Sequence, residues 1–356
     1  MHQGLPDFLA DGNRARFRRV LLGWYDRNKR DLPWRRTRDP YAIWLSEIML
    51  QQTRVAAVLE HYRIFLERFP NIEALAAATE DAVLAAWSGL GYYRRARMLH
   101  RCAREIVDQR DGGFPKTASD LRELPGIGQY TAAAIASIAF GEPVAVVDGN
   151  VERVLQRVGG TNLPSRLSWQ SAQYLLSPSR PGDFNQAMME LGATICQPRD
   201  PQCTKCPVST LCATRAREIA RKGSGFAALE SVPVRRQIKR EIWCALDRRD
   251  GYIRLVKRPK TASLMAGMWE LPQRSEMPYA QAAAAKWRTF RHSITITNYD
   301  VHVVRDWTPR PSPGGNDAAP RGVTHDRRGK WVAIETIPQL PITGLTRKIL
   351  KAGGII

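Results

Sequence analysis

The sequence predicts an all-α domain followed by a smaller α+β domain, and three observations carry that expectation. From residue 14 to about 215 one helical pattern follows another, punctuated by Gly and Pro, with no strand-like alternation in competition. Beyond residue 239 the texture turns to β-rich runs. Between them lies ATRAREIARKGSGFAALESVPVRRQIKRE, basic with a Gly-Ser break, which reads as a linker over 216–238. The expected domains are therefore 1–215 and 239–356. With 356 residues the chain is long enough to bury a sizeable core.

The elements follow in order. YAIWLSEIMLQQTRVAAVLEHY, residues 41–62, is apolar around the whole helical wheel and predicts a largely buried helix. Glu47 lies in its middle on the same face as Ile43 and Leu50, so its carboxyl group should meet an apolar pocket. EALAAATEDAVLAAWSGL, RRARMLHRCAREIVDQ and TAAAIASIAFG continue the helical series. In the second domain, EIWCALDRRDGYIRLVKR carries two β-rich runs around an Asp-Gly turn, a hairpin signal. ITITNYDVHVV reads as a strand, AQAAAAKWRTF as a helix and PRPSPGGNDAAPRG as a loop.

Lys and Arg number 54 against 34 Asp and Glu, a formal net charge of +20. Such an excess favours a polyanionic partner, nucleic acid or an acidic membrane surface. Much of it is early, in Arg14, Arg16, Arg18, Arg19, Arg27, Lys29, Arg30, Arg35, Arg36 and Arg38, although a solvated face would carry the same pattern. No uninterrupted apolar stretch is long enough to cross a bilayer, and MHQGLPDFLADGN lacks the charged start and apolar core of a secretion signal. The expectation is a cytoplasmic, monomeric protein without a membrane partner.

Three motifs can carry chemistry. Cys196, Cys203, Cys206 and Cys212 form C-x6-C-x2-C-x5-C, a soft donor set that calls for zinc or an iron–sulfur cluster, and the spacing does not choose between them. In a reducing compartment six cysteines do not imply disulfides, and Cys102 and Cys244 read as small buried hydrophobes. In ELPGIGQYTAAAIASIAF, Gly126 and Gly128 make a tight turn before a helix, either a plain connection or a set of backbone N–H groups facing a phosphate. In AVVDGNVERVL, Asp148 read alone is a helix N-cap.

LSEIMLQQT, GLGYYRRA, LPGIGQYTA, VVDGNVERVL, FNQAMMELGATIC and the cysteine spacing, in this order, resemble the helix-hairpin-helix DNA glycosylases with an iron–sulfur loop. With an α+β domain added, the chain resembles the adenine DNA glycosylases of the MutY type over nearly its whole length. The resemblance implies two helical lobes flanking a DNA cleft, a 4Fe–4S cluster on the four cysteines, and removal of adenine opposite 8-oxoguanine or guanine in double-stranded DNA. It implies Glu47 as general acid, Asp148 as the ionised carboxylate that stabilises the sugar cation, and Tyr130 and Asn150 as their orienting partners. Related enzymes that also cut the strand carry lysine where this chain has Tyr130, so base removal without a lyase step is expected.

The same resemblance gives Trp34, Arg35 and Glu190 to an adenine pocket, although Trp34 reads equally well as core. It makes Gln52 and Tyr92 wedges in the base stack; ordinary packing is the alternative. KRPKTASLMAGMWELP resembles the Nudix-like domain of this family, but AQAAAAKWR replaces the Glu-rich helix of a working Nudix hydrolase, so nucleotide hydrolysis is not expected. Phe290 and His292 match a lesion-reading Phe-Ser/Thr-His loop, with Arg291 in place of the hydroxyl residue. An endonuclease III-like pyrimidine glycosylase with lyase activity and a non-catalytic iron–sulfur DNA-binding protein are the competing readings.

Overall fold

The computed structural model describes residues 11–220, 237–274, 286–294, 296–305 and 329–356. The alanine run of 280–285, the loop of 309–322 and residues 221–236 of the expected linker lie outside the described residues. Packing divides the chain into two units, Met1–Ala77 with Met98–Glu230, and Ala78–Arg97 with Ser231–Ile356. The second unit thus includes twenty residues from within the helical sequence, a grouping that the order of the chain does not suggest.

Helices α1 (Asp11–Asn28), α2 (Pro40–Leu50), α3 (Val55–Arg68), α4 (Ile72–Ala77), α5 (Glu80–Ala86) and α6 (Arg94–Arg110) come first. They are followed by α7 (Ala118–Leu121), α8 (Gln129–Ala139), α9 (Gly149–Gly159), α10 (Ser165–Leu175), α11 (Pro181–Thr194) and α12 (Ala213–Ala220). The apolar run at 41–62 is two helices, not one, because Gln52 takes φ +55 and ends the α2 geometry. EALAAATEDAVLAAWSGL likewise divides, since the Thr79 hydroxyl accepts from Ala82 N and starts α5 afresh. Residues 216–220, expected in the linker, complete α12, whose Ala and Arg content favours a helix. Among the described residues no helix is long and apolar enough to cross a membrane.

In the first unit α8 is the central element. Its residues from Thr131 to Ile138 are all buried, and five of those eight side chains are Ala or Ser. Small side chains let neighbouring backbones come close, and α2 and α11 both pack on this helix. Gly182 on α11 is required there: a Cβ would fall 2.7 Å from the Ser137 carbonyl oxygen and 2.8 Å from Ile138 Cα. Asn185, one turn on, donates to Ser137 Oγ and Val144 O at 2.9 Å and accepts from Val146 N at 3.1 Å. That buried amide ties α11 and α8 to the segment that runs into α9. The apolar core continues through Phe17, Leu21, Tyr25, Val151, Leu155 and Phe184.

The second unit has two sheets and a C-terminal helix. Strands β1 (Ile238–Leu246), β5 (Gln273–Arg274), β6 (Lys286–Ile294) and β7 (Thr297–Arg305) form a sheet of order β5-β1-β7-β6, with β1 and β7 parallel. Strands β2 (Arg248–Arg249), β3 (Tyr252–Lys257), β4 (Trp269–Glu270) and β8 (Lys330–Ala333) form the other. The Asp-Gly hairpin exists, with Asp250 at φ +46 and Gly251 at φ +80, but it joins β3 to the two-residue β2 and not to the long β1. ITITNYDVHVV is not one strand: Ile294 ends β6 and the rest turns back into β7. Lys286–Phe290, expected in a helix, begin β6, because the core contact of Phe290 and pairing with β7 override the helical preference of the alanines before them. Helix α13 (Gly344–Ala352), capped by Thr343, closes the core with Ile349 and Leu350.

Gly182→Ala should lower the thermal unfolding midpoint, at a cost of about 1–3 kcal/mol for forced separation of α8 and α11. Gly128→Ala meets open space at a negative φ and should leave the midpoint unchanged. Thermal denaturation of the two variants checks both.

Candidate active site

Glu47 projects from α2 with 6% of its surface exposed. The Tyr130 hydroxyl on α8 donates to Glu47 Oε2 at 2.8 Å and lies 3.3 Å from Met189 Sδ on α11. Burial is the main influence on the acid, lifting it from its ordinary 4.5 to about 7; the nearby Asp148 charge adds to the rise, while the Tyr130 hydrogen bond and the Arg35 charge oppose it. Burial also pushes the Tyr130 phenol well above its usual value, so it stays protonated beside the acid.

Asp148 occupies the N-cap of α9. Its Oδ1 accepts from Val151 N at 2.7 Å and its Oδ2 from Asn150 Nδ2 at 2.9 Å. The capping role read from the sequence alone is therefore real, and it fixes the carboxylate that the resemblance places in the reaction. Asn150 in turn accepts from Arg153 at 2.8 Å, and Arg153 donates to the carbonyls of Gly192 at 2.8 Å and Cys196 at 2.9 Å. Gly192 is needed for this approach, since a Cβ there would meet Asn150 Cβ at 2.6 Å.

Beside these groups stands a charged cluster. Glu190 on α11, 1% exposed, accepts from Arg30 at 2.7 Å through each carboxylate oxygen and from Arg35 at 2.8 Å. Burial alone would raise this acid, but the two guanidinium groups outweigh it and hold it at about 2. Trp34 is buried with its ring edge-on to Tyr62 at 5.3 Å, which is a core position. Much of the early basic cluster is likewise spent internally. Arg18 donates to the Leu175 and Tyr174 carbonyls, Arg36 pairs with Asp31, and Arg38 donates to the Ile138 carbonyl.

The turn before α8 has Gly126 at φ +80, where a Cβ would also strike Met98 Cβ at 2.8 Å. Gly128 is the N-cap and supplies no side chain, so the first-turn N–H groups of α8 have no side-chain cap. Gln52 and Tyr92 both take left-handed backbone conformations, φ +55 and +48, on exposed turns. Phe290 and His292 lie on β6 and not on a loop. Phe290 packs in the core of the second unit, while burial lowers the pKa of His292. Arg291 points to the other face, with 95% of its side chain exposed.

The four clustered cysteines line one recess together with Arg157, Val154 and Leu191. Among the described residues no three His, Cys, Asp or Glu side chains converge closely enough to hold a single metal ion. Burial pushes the Cys206 thiol up to about 12, and Cys203 and Cys212 move the same way. Arg157 is buried against the loop, donating to Gln197 O at 2.6 Å and Pro198 O at 3.0 Å and lying 3.4 Å from Cys196 Sγ.

Comparison with known proteins fits this geometry. The family model described as the HhH-GPD superfamily base excision DNA repair protein matches residues 45–169, from the α2 acid through the hairpin and Asp148. The solved structure of a thermostable thymine-DNA glycosylase is 33% identical, with a TM-score of 0.55, and the match covers 97% of that chain and 57% of this one. The chain belongs to the HhH-GPD superfamily. Its helical region is similar to adenine DNA glycosylases. A Homo sapiens adenine DNA glycosylase is 51% identical over 216 residues, 56% of this chain and 40% of that protein. An Arabidopsis thaliana adenine DNA glycosylase is 40% identical over 311 residues, 75% of this chain and 49% of that protein. The chain thus spans about half the length of the curated relatives it matches.

Sequence reasoning missed Arg30, Arg153, Met189 and Gly192. Arg153 had a signal, since it stands one helical turn after Asn150; the others become visible only when α11 is packed.

The acid's environment gives a test by pH. Because the folded state raises the Glu47 pKa above its ordinary value, the native protein binds the extra proton between about 4.5 and 7. Stability should therefore fall as pH rises through that window, by on the order of 3 kcal/mol in total. Glu47→Gln, which cannot ionise, should flatten that slope and be more stable than the parent above pH 7 in urea titrations at several pH values.

Proposed function

We propose that this HhH-GPD protein removes adenine mispaired with 8-oxoguanine or guanine from double-stranded DNA, by hydrolysis of the N-glycosidic bond and without cutting the strand. The observation that carries the reading is a buried acid held near pH 7, hydrogen-bonded to the tyrosine of the hairpin helix and adjacent to an ionisable carboxyl group capped in place.

The target nucleotide has to leave the stack to reach such a site. Departure of the base puts positive charge on the sugar and negative charge on the purine. Glu47, holding its proton, donates it to a purine ring nitrogen so that the base leaves neutral. Asp148, held by the α9 N-terminus and Asn150, stabilises the sugar cation until water adds. Tyr130 orients Glu47 and offers no amine to form a Schiff base with the sugar, which supports hydrolysis alone. Trp34, Arg35 and Glu190 shape the adenine pocket, and the first turn of α8 with Gly126 and Gly128 grips a backbone phosphate.

Cys196, Cys203, Cys206 and Cys212 would hold a 4Fe–4S cluster. Four cysteines lining one recess supply the all-thiolate donor set that such a cluster takes. When bound, the cluster supplies a redox-capable, charged cross-link among the loop's thiolates. The protein's own part is to seat it, with Arg157 bracing the loop carbonyls. Residues 239–356 act as a Nudix-like lesion reader through the β6 segment of Phe290 and His292, with Arg291 on the open face. The likeness to the thymine-DNA glycosylase structure keeps thymine as the base to be tested against adenine.

Single-turnover assays should use duplexes with A opposite 8-oxoguanine, guanine and thymine, T opposite guanine, and an oxidised pyrimidine, with and without alkali. Release confined to A opposite 8-oxoguanine or guanine, with strand cleavage only after alkali, is expected. Glu47→Gln should slow release by about 10²–10⁴-fold while retaining binding. Release of thymine or the oxidised pyrimidine, or nicking without alkali, overturns the assignment. The purified protein should contain iron and acid-labile sulfide; zinc in their place overturns the cluster.

A further inference from the structure

Tyr92 is a large aromatic residue more than half exposed and held at φ +48, following Gly89 at φ +112 and directly after Gly91 at φ +71. A bulky residue in the left-handed region costs about 1–3 kcal/mol and persists only where its surroundings impose it. Part of that constraint is local. The Trp87 indole donates to Gly91 O at 3.1 Å, and Arg95 donates to the Leu90 and Gly91 carbonyls at 3.3 Å while its guanidinium lies 5.5 Å from the Tyr92 ring.

The rest comes from far along the chain. Ser88, almost wholly buried, donates to Ile342 O at 2.8 Å and accepts from Arg347 Nε of α13 at 2.9 Å. Around it, Lys257 pairs with Asp81 at 3.0 Å, and Arg97 bonds both Glu80 and the Ala266 carbonyl. Burial lowers the Arg347 pKa, so this cation is kept there against its own desolvation. An apolar side chain would fill the same space more cheaply. What it would lack is a directional bond to the residue four positions before Tyr92.

We infer that Arg347 is a positioning residue that acts through Ser88 to hold the Tyr92 turn in its strained, outward-facing form, so that the C-terminal helix presets the aromatic side chain for the DNA stack. The inference rests on the reading of Tyr92 as a DNA-contacting residue under the proposed function. It adds that the second unit takes part in recognition through the Tyr92 turn as well as through β6.

The test is a double-mutant cycle on the full chain with Arg347→Leu, Ser88→Ala, Tyr92→Leu and the pairs with Tyr92→Leu. The readouts are affinity for a duplex with a tetrahydrofuran abasic analogue opposite 8-oxoguanine, and the single-turnover rate for adenine opposite 8-oxoguanine. Arg347→Leu and Ser88→Ala should each weaken binding roughly tenfold in the parent and leave it unchanged in the Tyr92→Leu background. Arg347→Lys, which keeps a donor, should restore most of the loss. Ser88→Ala removes one atom and keeps the result interpretable if Arg347→Leu folds poorly. Losses of equal size in both backgrounds would mean that the pair only supports folding and would overturn the inference. So would a full effect of Tyr92→Leu with none from Arg347→Leu or Ser88→Ala. Absence of adenine release by the parent would instead strike the proposed function.

Discussion

Close approach of helices around the alanine-rich α8 is the constraint on which the first unit depends. With Ala and Ser along its buried length, and glycine at 182 and 192 on α11, backbones come near enough for α2, α8, α9 and α11 to share one junction. That junction is where Glu47, Tyr130, Asn150 and Met189 meet. A methyl group added at either glycine would be paid for at the site and not merely in the core, since one contact is to the α8 backbone and the other to Asn150 itself.

Two glutamates show what the junction does with one side-chain chemistry. Glu47 is buried with a phenol for company, and it is lifted to about 7. Glu190 is as deeply buried but faces two guanidinium groups, and it is held at about 2. Arg35 is felt by both, bonding one and only opposing the rise of the other. The site thus keeps a proton donor and a fixed anion a short way apart on a framework of packed helices. A distribution of roles of this kind comes from environment and not from residue type.

The legibility of the sequence followed the range of the interactions. Glu47 in an apolar run, the Gly turn before α8 and the Asp148 cap are local patterns, and all three appear in the structure as read. The break at Gln52 was hidden because its neighbours all favour a helix and only the left-handed backbone of one residue ends it. Lys286–Phe290 read as helix because the alanines before them dominate the window, whereas their pairing partners lie on β7, beyond a turn. Trp34, which reads equally as core and as pocket, and Phe290, which the resemblance gives to lesion reading, are both buried, and the sequence pattern does not separate those environments. Arg30 and Arg153 reach carboxylate and carbonyl groups up to 160 residues away, a distance that no periodicity records.

The grouping of residues 78–97 with the C-terminal unit bears on how such proteins can change over time. A segment encoded in the middle of the helical region is packed against a domain encoded more than a hundred residues later. Exchange of the C-terminal domain at its apparent boundary would bring in a foreign partner for Ser88, Asp81 and Arg97 while leaving those residues behind. The unit of inheritance here is discontinuous. Substitutions at 78–97 and in α13 are expected to be tolerated in pairs more readily than singly, and a graft that respects the packing must carry both pieces.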